Sequence, residues 1–183
     1  MTSINIPDSV TSIGWGAFRG CSGLTSVTIG DSVTSIGGDA FSDCSGLTSV
    51  YYTGDIAGWC GIEFVGYNAN PLYYAHKLYI NNTLLTDLVI PDGVTSIGNY
   101  AFSGCIGLTS VSIGSGVTSI GSGAFRGCDT LSSVDFDNVS GWQVDDSGYF
   151  YNGIDISAED LSDAATAAKY VTSDYCDYYW KRV

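Results

Sequence analysis

The stretch Cys21–Val50, CSGLTSVTIGDSVTSIGGDAFSDCSGLTSV, contains most of itself twice: Cys-Ser-Gly-Leu-Thr-Ser-Val at residues 21–27 returns at 44–50. The offset is 23 residues, and sliding the chain along itself at that offset lengthens the agreement in both directions. One frame reads Ile4…Val10-Thr11-Ser12-Ile13…Ala17-Phe18…Cys21, and the next reads Val27…Val33-Thr34-Ser35-Ile36…Ala40-Phe41…Cys44. It returns as Leu88…Val94-Thr95-Ser96-Ile97…Ala101-Phe102…Cys105 and again as Val111…Val117-Thr118-Ser119-Ile120…Ala124-Phe125…Cys128. A divergent copy begins at Val50, and a last one opens at Val134 without closing in the same way.

Alternation gives the repeat a physical reading. In Leu24-Thr25-Ser26-Val27-Thr28-Ile29, Val27 and Ile29 point to one side of a strand and Ser26 and Thr28 to the other. Gly30 lets the chain turn. Val33-Thr34-Ser35-Ile36 supplies a second apolar pair, Ala40-Phe41 occupies a tight helical or 3₁₀ turn, and Cys44 closes the coil. One coil cannot shield its own apolar interior, but neighbours stacked above and below can. Val27 is then expected on Ile4 and under Val50, and Phe41 on Phe18, with strands in a parallel ladder about 4.8 Å apart.

The pattern Leu-x-x-Val-x-Ile followed by Val-Thr-Ser-Ile-x-x-x-Ala-Phe-x-x-Cys resembles the BspA-type leucine-rich repeats of bacterial and protozoan surface proteins, over about residues 1–50 and 85–137. The segment between them, with Trp59-Cys60-Gly61-Ile62-Glu63-Phe64, Asn70-Pro71-Leu72 and Leu78-Tyr79-Ile80-Asn81, is similar to an island between repeats in such proteins from gut bacteria. The ending, Ala164–Tyr170 and Asp177-Tyr178-Tyr179-Trp180-Lys181-Arg182, looks like the tail that closes some of them. The expected fold is therefore a strand-dominated α/β solenoid. It is a right-handed leucine-rich-repeat coil with a parallel ladder, short helical or 3₁₀ turns, an inserted island and a C-terminal helical cap. A single domain spans 1–183, with repeats at about 1–23, 24–46, a divergent 47–84 carrying the island, 85–107 and 108–130, then a divergent coil and cap over 131–183. The resemblance implies a secreted or surface-attached protein, although the opening MTSINIPDSV carries no secretory signal. Some members of the family are adhesins for host matrix proteins, and most have no assigned activity.

Inside the island, Asp55 is placed to cap a short helix through Trp59, and Asn70-Pro71 reads as a cap followed by proline at the first helical position. Asn81-Asn82 suits a two-residue hairpin turn, whose second arm leads into Leu88-Val89-Ile90 and restores the frame. At the far end Ser157 or Ser162 can start a helix. The near end opens inside a coil: Met1 stands where a repeat leucine belongs, with no polar cap before it. That start suggests a fragment of a longer repeat protein, a gene shortened upstream, or an edge that meets a partner, with self-association through Met1–Pro7 as one expectation.

Nineteen acids against six bases give a formal charge of −13, which repels phosphate backbones and disfavours nucleic acid or an anionic membrane surface. No run of about 18 apolar residues is present to span a membrane. The acids thicken between Asp129 and Asp177, yet they lack the ligand spacing of a calcium loop. Cys21, Cys44, Cys105 and Cys128 share one repeat position. Stacked side by side with parallel Cβ directions, they read as a column of buried thiols rather than as bridges, and their spacing is not that of a zinc site. His76, the sole histidine, could pair with Cys60 in a dyad, but no third group is evident to orient the imidazole. No hydrolase elbow, phosphate loop or zinc-protease motif occurs, so the expectation is a non-enzyme with no cofactor and no metal.

What remains is surface. The outward strand positions form two columns, Ser26, Ser49, Asp87, Ser110, Ser133 and Thr28, Tyr51, Val89, Ser112, Asp135, which either bind a ligand or are soluble β formers. The island aromatics Trp59, Tyr67, Tyr73 and Tyr74 either offer flat faces to a sugar or protein anchor, or pack the island onto the stack. The functional expectation is a non-catalytic module for a protein or glycan ligand. The alternative is a structural spacer with no ligand of its own.

Overall fold

The computed structural model describes residues 2–148 and 153–183. Met1, expected at a leucine position and in the self-association edge, lies outside the described residues. The chain winds into a solenoid whose coils each place one four-residue strand on a first face and one two-residue strand on a second. On the first face β1 (Ser3–Ile6) and β3 (Ser26–Ile29) pair in parallel, Ile4 with Val27 and Ile6 with Ile29. The next rung, β5 (Ser49–Tyr52), continues the register, Val27 with Val50. On the second face β2 (Ser12–Ile13) and β4 (Ser35–Ile36) pair in the same way. The period of 23 is thus the register of both ladders. Phe18 stacks on Phe41 with ring centroids 5.1 Å apart, and Phe102 on Phe125 at 5.6 Å.

The polar positions of the repeat serve the ladder too. Thr25 Oγ1 donates to the Thr2 carbonyl at 2.7 Å, Thr48 to Thr25 at 3.1 Å, and Thr109 to Thr86 at 3.1 Å. Thr34 donates to Thr11 and Thr118 to Thr95 on the second face, each bond spanning 23 residues. Small residues set the approach of one coil to the next: a Cβ on Gly116 would land on the Asp92 carbonyl oxygen, and one on Gly46 on that of Ser22.

The island is the junction between two stacks. Asp55 caps α1 (Ile56–Cys60) by accepting from Gly58 N at 2.8 Å, and β6 (Glu63–Phe64) extends the second-face ladder of β4. A 3₁₀ turn (Tyr67–Ala69) and α2 (Leu72–Ala75) follow, then β7 (Leu78–Ile80), which pairs in parallel with β5. The frame resumes at Leu88 as expected, with Leu88 paired to Val111, but Leu88 is not the next rung on Val50: Val50 pairs with Leu78, 28 residues on. Asn81 and Asn82, at φ 50° and 60°, then turn the chain into β8 (Thr83–Leu84), an antiparallel partner that closes this sheet. Leu88 heads a new sheet of β9 (Asp87–Ile90), β11 (Ser110–Ile113) and β13 (Ser133–Phe136), while β10 (Ser96–Ile97) and β12 (Ser119–Ile120) restart the second face.

A coil normally meets its successor through backbone bonds, as in Phe18 N to Ala40 O at 2.8 Å and Phe102 N to Ala124 O at 2.8 Å. At the junction one backbone bond, Gly98 N to Cys60 O at 3.0 Å, is joined by side chains that supply the rest. Trp59 Nε1 donates to Ala101 O at 2.8 Å, Asn70 Nδ2 to Tyr100 O at 2.7 Å and Ala101 O at 3.1 Å, and His76 Nδ1 to Gly104 O at 3.0 Å. Asn70 is wholly buried, and its Oδ1 accepts from Leu72 N at 2.9 Å, so every polar atom of that side chain has a partner.

The far end is closed by more than the helices expected there. Ser157 caps α3 (Ala158–Ser162), and Asp163, not Ser162, caps α4 (Ala164–Lys169), which packs against β13. Strands β14 (Trp142–Asp145) and β15 (Ile154–Asp155) precede these helices, and β16 (Tyr179–Arg182) follows them. Running antiparallel, β16 pairs with β12 and β14 and sets Trp180 over Ile120 at the head of the isoleucine column. Trp142 packs edge to face on both Phe136 and Trp180, which stack on each other. The extra strands end the second-face ladder without leaving β12 as an open edge.

Candidate binding site

The strand-face columns do not form one continuous surface, because the first-face ladder ends at β8 and restarts at β9. Ser26, Thr28 and Ser49 lie in the first sheet, half-buried, beside Tyr51, whose ring stacks on Tyr79 at 4.7 Å. Asp87, Val89, Ser110, Ser112, Ser133 and Asp135 lie in the second. Asp87 spends its acceptors inside the ladder: Oδ1 takes the Ser110 hydroxyl at 2.6 Å and Oδ2 the Thr86 hydroxyl at 2.9 Å. Those hydroxyls, Ser110 foremost, hold its carboxyl below the ordinary carboxylate value. Val89 is 65% exposed but stands alone between small hydroxyls and a carboxylate.

The cysteine column requires one correction. Cys44, Cys105 and Cys128 are buried, and Cys44 and Cys128 donate S–H to the carbonyls of Phe18 and Phe102 in the preceding coil, at 3.1 and 3.2 Å. Cys21 is exposed, because no described coil lies on its outer side. No cysteine is bridged. Burial pushes the Cys105 thiol up to about 11 and the Cys60 thiol up to about 12, with the Asp55 charge adding to the latter. A nucleophilic cysteine needs the opposite shift, so Cys60 is not set up for a dyad with His76. Among the described residues no group of three or more metal-ligating side chains comes together, and no helix is long and apolar enough to cross a membrane.

The island aromatics divide. Trp59 is 0% exposed, wedged against Tyr52 and Phe64, so its expected role in ligand contact is overturned and it is a core residue of the junction. Tyr74 is half-buried, and its hydroxyl accepts from Asp43 N at 3.0 Å, which ties it to the second coil. Tyr67 and Tyr73 remain, 45% and 42% exposed, their rings 5.4 Å apart and tilted by 56°. They line one side of a cleft of about 440 Å³. His76 joins them from the left-handed end of α2 (φ 59°), and Ser103, Gly104, Ile106, Arg126, Gly127 and Asp129 form the facing wall. A wider groove of about 890 Å³ runs along the second face where β6 and β10 fail to pair, floored by glycine backbone and buried apolar side chains. The cleft brings aromatic faces, an imidazole, a guanidinium and a carboxylate together.

The sequence expectations missed Ile106, Arg126 and Asp129. Two of them were marked by departure from the repeat: where Ser22 and Ser45 follow the cysteine in the first coils, Ile106 and Asp129 follow it in the later ones.

A coil built from stacked parallel strands with a buried apolar column is the leucine-rich-repeat class of solenoid. The chain belongs to the BspA type leucine rich repeat region family, which matches in six copies over residues 1–58 and 75–170. Among curated proteins none matches the chain significantly. A solved leucine rich cell surface protein from Faecalibacterium prausnitzii is similar at 29% identity and TM-score 0.42, over 78% of this chain and 40% of that one. A leucine-rich repeat protein from Bacteroides ovatus is similar at 27% identity and TM-score 0.42, over 75% and 38% of the two chains. One from T. pallidum shares 22% identity with TM-score 0.42, over 73% and 68%. The chain therefore spans two fifths or less of the length of the first two relatives.

Proposed function

We propose that this chain is a non-catalytic binding module of a secreted or surface-displayed repeat protein, and that it takes its protein or glycan ligand at the island cleft. The observation that carries this reading is the contrast between the two expected surfaces. On the strand face, Asp87, Ser110 and the threonines satisfy one another along the ladder. In the cleft, Tyr67 and Tyr73 keep open faces beside Arg126 and Asp129. Rigid aromatic anchors in a concave site supply contact area at low cost in side-chain freedom. The relative described as a cell surface protein supports the location.

An array of matrix proteins and glycans probed with the full chain tests the proposal. Saturable binding that Tyr67→Ala and Tyr73→Ala weaken, and that Tyr51→Ala leaves alone, is the expected result. No saturable binding to any probe would leave the chain a spacer between other parts of a longer protein.

A further inference from the structure

The chemistry of the cleft is narrower than its shape. Tyr67 and Tyr73 present angled faces, and among the described residues their hydroxyls make no hydrogen bond. The Gly104 carbonyl can only accept, so His76 Nδ1 carries a proton toward it, and in the neutral ring Nε2 is left as an acceptor. Arg126 is paired with Asp177 at 3.2 Å, while the Asp129 carboxylate has no partner among the described residues. Donors and acceptors thus line the same cleft as two aromatic faces, and its volume lies within the roughly 300–1,000 Å³ range of small-ligand sites.

We infer that the cleft holds a neutral pyranose unit at the end of a glycan, an inference that rests on the binding-module reading. A sugar hydroxyl both donates and accepts, and two neighbouring hydroxyls can donate together to one carboxylate, the role left open for Asp129. The C–H face of a pyranose ring is apolar and flat enough to lie on Tyr67 or Tyr73. Charge selects against the other ligand classes. An acidic ligand would meet the Asp129 carboxylate at the same rim, within a chain of net charge −13. A quaternary ammonium, which two aromatic rings and a carboxylate could also suit, would meet the Arg126 guanidinium at the same rim. A neutral hydroxyl meets neither repulsion, and the guanidinium, with five N–H donors, can serve Asp177 and a sugar oxygen at once.

Saturation-transfer NMR on the full chain tests this with the methyl glycosides of glucose, mannose and galactose, N-acetylglucosamine, glucuronate and choline, each at millimolar concentration. The expected result is transfer to the ring protons of at least one neutral pyranoside. Tyr73→Ala should abolish it and Asp129→Asn should weaken it by about tenfold, with the thermal melt of Asp129→Asn unchanged because that side chain is exposed. Transfer to glucuronate or choline alone, or neutral-sugar binding indifferent to both substitutions, overturns the inference. If no sugar binds while a matrix protein binds in a Tyr67-dependent way, the sugar class fails and the binding module stands. If nothing binds in either experiment, both fall.

Discussion

Replacing Asn70 by Leu should weaken the protein far more than a single polar-to-apolar change of similar volume ordinarily does. The side chain is fully buried between the island and the coil that restarts the solenoid. Its Oδ1 is the hydrogen-bond acceptor for Leu72 N, so Asn70→Leu leaves that N–H orphaned in a fully buried site, at about 1–3 kcal/mol. Tyr100 O and Ala101 O each lose one donor, worth about 0.5–1.5 kcal/mol apiece, but keep a second: Ser103 N for Tyr100 and Trp59 Nε1 for Ala101. The expected loss is about 2–6 kcal/mol. Trp59→Phe alone leaves Ala101 O its bond from Asn70, and only the double variant strips that carbonyl of both side-chain donors. The double loss should therefore exceed the sum of the singles by about 1–2 kcal/mol, well above the roughly 0.5 kcal/mol scatter of independent sites. Urea unfolding followed by far-UV circular dichroism reads all four proteins. Because the junction joins two separate ladders, the weakened variants should also broaden one transition toward two, as expected when an interface between repeats is lost. An Asn70→Leu loss below about 0.5 kcal/mol, or strict additivity with Trp59→Phe, would refute the account of side chains standing in for backbone donors.

Native protein treated with a thiol-alkylating reagent at neutral pH should label Cys21 first and Cys176 more slowly, with the four buried thiols protected until denaturant exposes them. Rapid native labelling of Cys60 would contradict the upward shift that burial imposes on it. Gly116→Ala drives a methyl group into the Asp92 carbonyl and should cost about 1–3 kcal/mol, whereas Gly93→Ala meets nothing within 4 Å and should stay within about 0.5 kcal/mol in thermal or urea unfolding. Because the folded-state value of Asp87 lies below its ordinary one, its contribution to stability is present above the unfolded value near about pH 4 and is lost as pH falls through the folded value. Asp87→Asn should accordingly flatten the acid limb of a melting temperature against pH curve, and an unchanged slope would show that the Ser110 and Thr86 bonds do not bias its ionisation.

The period was legible because the physics behind it is local and repeated. Each coil must bury the same side chains against the next, so Val27, Ile36, Phe41 and Cys44 recur at fixed places, and the register of every regular strand pair follows from that recurrence. Capping by Asp55 and Ser157 and the Asn81-Asn82 turn were legible for the same reason, since each depends on neighbours within a few residues.

Only the tertiary structure decided where that logic stops. No period indicates that the ladder's next rung is Leu78, that Trp59 turns inward to serve Ala101, or that β16 returns antiparallel to cover Ile120. Those outcomes depend on which donors and apolar faces remain unpaired once neighbouring coils have met. The cleft is of the same kind: Tyr67 and Tyr73 meet Arg126 and Asp129 because the island folds against coils that lie far along the chain, and contacts between such distant segments leave no spacing in the sequence to read.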